Sequence, residues 1–307
     1  MIDVQQLTKQ YGAFSALKGI SFSAQPGEIL GILGPNGAGK TTTMRILTGF
    51  MPPTSGTATV AGFNVSRDSL EVRRRVGYLP ERVPVYPDMT VEGYVRFWAK
   101  LRGVPDAGGA TRRVLERVNL YDRRHLLIRK LSKGMRQRLG LAQALVHNPQ
   151  VVILDEPTIG IDPQQVIEVR QSVRALAQEH TVLFSTHILS EAEQVCDRVV
   201  IINHGEVIAE GRPDALRQQL YPGEHLYVEI GGLETAATLA LLNNGLKGVA
   251  SVTPQGAGYA VRGKARADLR GQIAQRVNAA GGTLLELRPV AMTLEDIFLD
   301  LLGRQEA

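Results

Sequence analysis

Eight residues constrain this chain more than any others: Gly34-Pro35-Asn36-Gly37-Ala38-Gly39-Lys40-Thr41. The apolar run before them, Ile29-Leu30-Gly31-Ile32-Leu33, reads as a buried strand. Thr42-Thr43-Met44-Arg45-Ile46-Leu47 after them has the spacing of an amphipathic helix. Strand, glycine loop and helix in that order form a phosphate-binding P-loop. The glycines let consecutive backbone N–H groups wrap a phosphate, and the helix N-terminus adds the positive end of its dipole. Lys40 then reaches the β- and γ-phosphates, and the Thr41 hydroxyl sits on Mg²⁺. The plainer reading, a glycine-rich turn ending in a solvated lysine, loses because both flanking elements are right. The chain is expected to bind a nucleoside triphosphate.

A second stretch supplies the acidic counterpart. Val151-Val152-Ile153-Leu154-Asp155-Glu156-Pro157 is an apolar strand ending in paired carboxylates. Inside a parallel sheet such a strand is a continuous apolar run, and its C-terminal end faces the ligand crevice. Asp155 can hold the Mg²⁺ hydration shell, and Glu156 can orient and deprotonate an attacking water. That the pair merely begins a surface turn is set aside because a P-loop lies upstream. Thr181-Val182-Leu183-Phe184-Ser185-Thr186 is another buried strand, with His187 at its end. An isolated histidine is usually structural or solvated, but a strand end beside the carboxylates points this one at the γ-phosphate. Val76-Gly77-Tyr78-Leu79 stops at Pro80, so Glu81 also stands at a strand end.

Around these strands the pattern varies. Tyr11 lies a short β-segment upstream of the P-loop, either as a hairpin aromatic or as a ring stacked on a nucleobase, and spacing alone does not choose. From Thr90 to Leu131 the pattern turns helical. Val91, Tyr94, Val95, Trp98 and Leu101 recur at three and four behind a Thr90 cap, and a second helix over 110–119 turns Val114, Leu115 and Val118 inward. This insert is expected to be a separate helical lobe, about residues 88–147. Within it Ser132 heads a long helix running through His147, which by itself is only a capped helix. Asp162-Pro163 starts another, to about His180. A hairpin around His204-Gly205 closes the domain.

Beyond Tyr221-Pro222-Gly223 the order β-α-β-β-α-β is the split βαβ of a ferredoxin-like module, and a last helix over 294–302 is capped by Thr293. Its charged residues are scattered without a catalytic constellation, so it reads as a regulatory or interaction domain. At 307 residues the chain suits two domains, 1–220 and 221–307. Hydrophobic residues at 44% and charged residues at 21% describe an ordinary soluble protein. No apolar run nears the roughly 18 to 20 residues that cross a bilayer. The amino end lacks the basic start and apolar core of a secretory signal, and the single Cys196 cannot close an internal disulfide, so a cytosolic location is expected. The net charge of +5 invites a nucleic-acid reading. Yet Arg73-Arg74-Arg75 and Arg123-Arg124 lack interleaved aromatics, and a solvated face or an anionic membrane surface fits them equally.

Together these motifs resemble the ATP-binding subunit of an ABC transporter, over about residues 1–220 and in that family's order. The resemblance implies an α/β P-loop NTPase cassette: a mixed sheet core with antiparallel β and helical lobes, followed here by the small α+β domain. It implies ATP and Mg²⁺, and it implies roles by position. Tyr11 is similar to the adenine-stacking tyrosine, residues 34–41 with Thr42 to the Walker A loop, and Asp155 and Glu156 to Walker B and the catalytic base. Ile161-Asp162 resembles the D-loop and His187 the switch histidine. Glu81 takes the place of a glutamine that touches Mg²⁺ and reports to the membrane subunit, so Thr41, Glu81 and Asp155 are the expected metal set. Leu131-Ser132-Lys133-Gly134-Met135 takes the place of the signature motif. It keeps Ser132 and Gly134, but has Lys133 for glycine, which could face a positive charge to the phosphates, and Met135 for glutamine.

The mechanism so implied uses a homodimer of cassettes. One ATP lies between the P-loop of one copy and the Ser132 helix start of the other, and a separate transmembrane permease subunit docks between Glu81 and the helical lobe. The chain would then lie on the cytoplasmic face of the cell membrane. Glu81, the run 133–138 and the segment 293–299 resemble the type 2 exporter branch, which includes gliding-motility-type, copper-processing-type and multidrug-type ATPases. The alternative is a soluble ABC ATPase acting on nucleic acid or ribosomes. Such members usually join two cassettes or carry coiled-coil or zinc insertions, which this sequence lacks, so no nucleic-acid partner is expected.

Overall fold

At the amino end, strand β1 (Ile2–Tyr11) pairs antiparallel with β2 (Phe14–Ala24) through a turn at Gly12. Alternation interrupted by shifts of register makes this hairpin: Ile2, Val4 and Leu7 of β1 and Leu17, Ile20 and Phe22 of β2 are buried, and the pairing slips between Val4 and Leu7. Next comes β3 (Ile29–Leu33), buried at all five residues, and helix α1 (Lys40–Leu47), which opens directly from the glycine loop and stops at Gly49 with φ +65. Then follow β4 (Ser55–Val60), β5 (Phe63–Asn64), α2 (Ser69–Arg75) and β6 (Val76–Leu79).

The helical insert comprises α3 (Val91–Leu101), α4 (Ala107–Arg117) and α5 (Lys133–Leu145). Thr90 caps α3 by accepting from the Gly93 N–H, Asp106 caps α4 in the same way, and Ser132 caps α5 by accepting from Met135. Tyr94, Val95 and Ala99 face inward on α3, whereas Leu101, expected on that face, is 62% exposed. It closes the helix at the edge of the apolar stripe. Helix α5 ends two residues before His147, where Asn148 takes φ +50 ahead of Pro149.

Strand β7 (Val151–Asp155) is buried at every residue. After it come α6 (Pro163–Leu176), capped by Asp162, then β8 (Thr181–Thr186), α7 (Leu189–Val195), β9 (Arg198–Asn203) and β10 (Glu206–Gly211). Helix α6 stops at Leu176 rather than near His180, because the N–H groups of Ala177 and Glu179 turn back to carbonyls three residues behind them. Two sheets result. One is antiparallel, in the order β2-β1-β4-β5; the other is mixed, in the order β10-β9-β3-β8-β7-β6, with only β10 running against its neighbour. Each fully buried valine, leucine or isoleucine of β3, β7 and β8 contributes about 1.5–3 kcal/mol by leaving water. The parallel ladder sets Leu33 beside Thr186, Asp155 beside Ser185 and Leu79 beside Leu154, so the chain leaves β3, β6, β7 and β8 at one edge.

The computed structural model describes residues 1–220, 223–244, 246–265, 268–290 and 293–298. The chain divides into Met1–Arg212 and Pro213–Ala307, eight residues ahead of the linker expected at 221. The second unit holds α8 (Pro213–Leu220), β11 (Gly223–Gly231), α9 (Thr235–Asn244), β12 (Val249–Gln255), β13 (Gly258–Ala265), α10 (Arg270–Ala279) and β14 (Thr283–Pro289). Its four strands lie antiparallel in the order β12-β13-β11-β14, over a core that includes Leu226, Val228, Val261, Ile273 and Val277. Residues 294–298 are helical, and Thr293 and Asp296 cap them reciprocally: each side chain accepts the other's backbone N–H. The rest of that expected helix lies outside the described residues. Among the described residues no helix is long and apolar enough to cross a membrane.

Candidate nucleotide-binding site

The glycine loop is wedged between β2 and β9. A Cβ on Gly34 would stand 2.2 Å from the Ile202 carbonyl oxygen, and one on Gly39, at φ +112, would stand 2.7 Å from a Leu17 methyl. Only glycine fits either position, so the loop's path is set before any ligand arrives. Ala38, buried, donates its N–H back to the Pro35 carbonyl and tightens the loop. Lys40, the first residue of α1, is 6% exposed. Its Nζ donates to the Gly34 carbonyl at 2.8 Å and the Pro35 carbonyl at 3.2 Å, and pairs with Glu156 Oε1 at 3.4 Å.

Asp155 closes β7 with 0% exposure. Its Oδ1 accepts the Ser185 hydroxyl at 2.7 Å and the Thr41 hydroxyl at 3.4 Å, and Tyr78 Oη stands 3.5 Å from Oδ2. Burial pushes this carboxyl above the ordinary aspartate range. The donors Ser185 and Thr41 oppose that, and the charges of Glu156 and Glu81 add to it. Burial and the nearby Asp155 charge raise the Tyr78 phenol in the same way.

Glu156 adopts φ +49, uncommon for any residue but glycine. Its N–H is received by the Ser185 hydroxyl at 3.0 Å and the Ser185 carbonyl at 3.2 Å. This turn directs the carboxylate so that Oε1 faces Lys40 while Oε2 meets His187 Nδ1 at 2.8 Å.

Lys40, Thr41, Glu156 and His187 line a cleft of about 530 Å³. Of the residues expected from the sequence, Asn36, Gly37, Gly39, Lys40, Thr41 and Thr42 lie in its wall, and so do Tyr11, Glu81, Glu156 and His187. Tyr11 is 45% exposed, and its hydroxyl contacts Met51 Sδ at 3.1 Å. Gly34, Pro35 and Ala38 of the loop and Asp155 at the end of β7 are not in the wall itself, and three further expected residues lie elsewhere on the chain. Ser132 is occupied as the cap of α5, Asp162 as the cap of α6, and Gly134 is buried where a Cβ would collide with the Gln165 side chain. The Lys133 ammonium rests against Gly160 of the same chain.

The sequence reading missed Ser185, Tyr78, Phe14 and Ile159, the last two also in the cleft wall. A signal existed for Ser185, since its hydroxyl follows the apolar run Val182-Leu183-Phe184 and stands two residues before His187. Phe14 was an aromatic three residues from Tyr11 in the same hairpin.

The donors also suit Mg²⁺. Thr41 offers a hydroxyl and Asp155 a carboxylate, hard oxygens 3.4 Å apart, and Mg²⁺ usually takes one or two carboxylates with phosphate oxygens and water. The raised Asp155, facing two further carboxylate charges, marks surplus negative charge that a divalent cation would offset.

Comparison with known proteins agrees with this geometry. A family model described as ABC transporter matches residues 17–159. The chain is 36% identical over 245 residues to the linearmycin resistance ATP-binding protein LnrL of Bacillus subtilis (strain 168), an alignment covering 78% of each protein. It is 38% identical to the Nod factor export ATP-binding protein I of Ralstonia nicotianae, over 70% of this chain and 68% of that protein. Among solved structures, a dimeric bacterial ABC transporter cassette is similar with a TM-score of 0.63 at 26% identity, over 69% of this chain and 98% of that one. Loop, carboxylates, helical insert and aligned length therefore agree: the chain belongs to the ABC transporter family, as an ATP-binding, ATP-hydrolysing subunit.

Proposed function

We propose that this chain powers a membrane exporter, with two copies closing on ATP and driving a separate membrane-spanning partner. The observation that carries the reading is the chain of contacts Lys40–Glu156–His187 at the mouth of the glycine loop. Lys40 is held by two carbonyls and by Glu156, and triphosphate oxygens are stronger partners for its charge. As Lys40 turns to the phosphates, Glu156 Oε1 is released to accept a proton from water. The water oxygen bonds to the γ-phosphorus, the bond from that phosphorus to the β–γ bridging oxygen breaks, and ADP carries away the electron pair. His187 keeps Glu156 oriented through Nδ1, leaving Nε2 to face the γ-phosphate. Mg²⁺, held by Thr41 and Asp155 with Glu81 nearby, supplies neutralisation of the β- and γ-oxygens when bound.

Ser132 and Gly134 lie outside the cleft of their own chain, at the start of α5, and that helix start covers the ATP of a second copy, with Asp162 at the same interface. Tyr11, exposed at the cleft wall, stacks on the adenine. Relatives named for export and for resistance support outward transport, with the chain peripheral on the cytoplasmic face of the cell membrane. The β-α-β-β-α-β unit is read as a ferredoxin-like accessory domain with a regulatory role.

Glu156→Gln tests the core of this reading. ATP binding is expected to persist while turnover falls by about 10²–10⁴, the usual effect of losing a general base. A dimer stable in ATP is expected by sedimentation of the same variant. Undiminished turnover refutes Glu156 as base. Recovery with ribosomes alone, rather than from detergent-solubilised membranes, refutes the exporter.

A further inference from the structure

Beneath the cleft, one buried carboxylate takes no part in the chemistry described so far. Glu191, on α7, is 2% exposed. Its Oε2 accepts the Thr158 hydroxyl at 2.6 Å and the Thr186 hydroxyl at 3.2 Å, while Oε1 faces Arg170 Nη2 at 3.3 Å. Arg170 is held in turn by Gln194 Oε1 at 2.7 Å. Two hydroxyls and a guanidinium satisfy the carboxylate away from water, which a lone buried charge could not tolerate.

The partners lie at telling places. Thr158 follows Glu156 by two residues, and Thr186 directly precedes His187; both are buried. The Thr186 hydroxyl also receives the Ile188 N–H at 3.0 Å, so a single hydroxyl fixes the backbone on the far side of the histidine as well. Glu156 stands in a backbone conformation, φ +49, that persists only where its surroundings hold it. The two loops meet in the cleft where His187 Nδ1 faces Glu156 Oε2, and beneath it at the Glu191 carboxylate.

We infer that Glu191 is a positioning residue for ATP hydrolysis: it clamps the loop bearing the base to the loop bearing the histidine and so sets the direction of the Glu156 carboxylate. The inference rests on the role given to Glu156 above. A polar group serving only the core would affect stability without separating kcat from KM.

The test is steady-state ATPase with Mg²⁺ and ATP for Glu191→Ala, Glu191→Gln and Thr158→Val, with nucleotide affinity measured by a fluorescent ATP analogue. Glu191→Ala is expected to lower kcat about tenfold to a hundredfold, as small misplacements of catalytic groups do, while KM and affinity stay within about threefold. Glu191→Gln keeps an acceptor oxygen and recovers part of the loss. Thr158→Val acts in the same direction, and adding it to Glu191→Ala lowers kcat less than about twofold further, because both remove one contact. An unimpaired kcat in Glu191→Ala, or a parallel loss of kcat and affinity, overturns the clamp. Should that variant fail to fold, Thr158→Val decides by the same readouts. A strong Glu156→Gln defect beside an unimpaired Glu191→Ala refutes the clamp alone, whereas an unimpaired Glu156→Gln refutes the base and the clamp together.

Discussion

Ser185→Ala removes one oxygen from the middle of the site and probes how the two carboxylates are held. The hydroxyl donates to Asp155 Oδ1 at 2.7 Å and accepts the Glu156 N–H at 3.0 Å. The second of these is shared with the Ser185 carbonyl at 3.2 Å, so that N–H keeps a partner after the substitution. The loss is therefore one charge-assisted hydrogen bond at a fully buried carboxylate, about 2 kcal/mol. Trp98, the single tryptophan, reports on the unit Met1–Arg212 in urea denaturation. With an m-value of about 3 kcal/mol/M for a unit of this size, the midpoint falls by about 0.7 M at constant m.

Function moves in the same experiment. Among the described residues only the Thr41 hydroxyl at 3.4 Å and the Tyr78 hydroxyl at 3.5 Å remain as hydrogen-bond donors to the Asp155 carboxylate, so the Mg²⁺ concentration for half-maximal ATPase rises about tenfold, as when a metal ligand loses its outer support. The Ser185 donor also holds the Asp155 carboxyl down against burial. Without it that carboxyl rises further, and the acid limb of the rate profile moves to higher pH. A midpoint shift under about 0.2 M with an unchanged Mg²⁺ titration refutes the account, since a bond of this strength cannot vanish from both readouts.

Acid sensitivity is expected from His147, whose Nε2 donates to the Val76 carbonyl at 3.2 Å and whose pKa burial, aided by the Arg102 charge, lowers to about 4. A pKa depressed from 6.5 favours the neutral ring in the folded state, so the stability it adds is present above pH 6.5 and is lost as pH falls through 4, about 3 kcal/mol in all. His147→Gln should therefore flatten the decline in Trp98-monitored stability between pH 7 and pH 5 by about 2 kcal/mol, and parallel curves for the two proteins refute it. Ser132→Ala removes the cap of α5 and costs about 1 kcal/mol of stability. ATP binding by the single chain should be unchanged while ATPase falls at least about tenfold at matched concentration, and an unaltered rate denies that Ser132 meets the nucleotide of a second copy.

What could be read from the chain beforehand divides along a physical line. The glycine loop, the apolar β7 and the cap and span of α3 are local: period, turn chemistry and capping settle them within about ten neighbouring residues. Tyr11 stayed open because the partner of its hydroxyl, Met51, stands 40 residues further along the chain. Glu191 reads locally as one of two acids on a short helix, Ser-Glu-Ala-Glu, and only the packing of α6 and of the loop after β7 makes it the buried one. Ser185 acts on Asp155 from 30 residues away through strand register. Register is what the catalytic edge depends on most, because side chains alternate across a strand. A slip of one residue between β7 and β8 would set Phe184 or Thr186 in place of Ser185 beside Asp155, and would carry His187 one step along the edge from Glu156. The full burial of both strands forbids that slip, since it would turn the sheet's packed faces over. The apolar residues that look irrelevant to hydrolysis are thus the ones that hold Asp155, Glu156 and His187 together at one edge of the sheet.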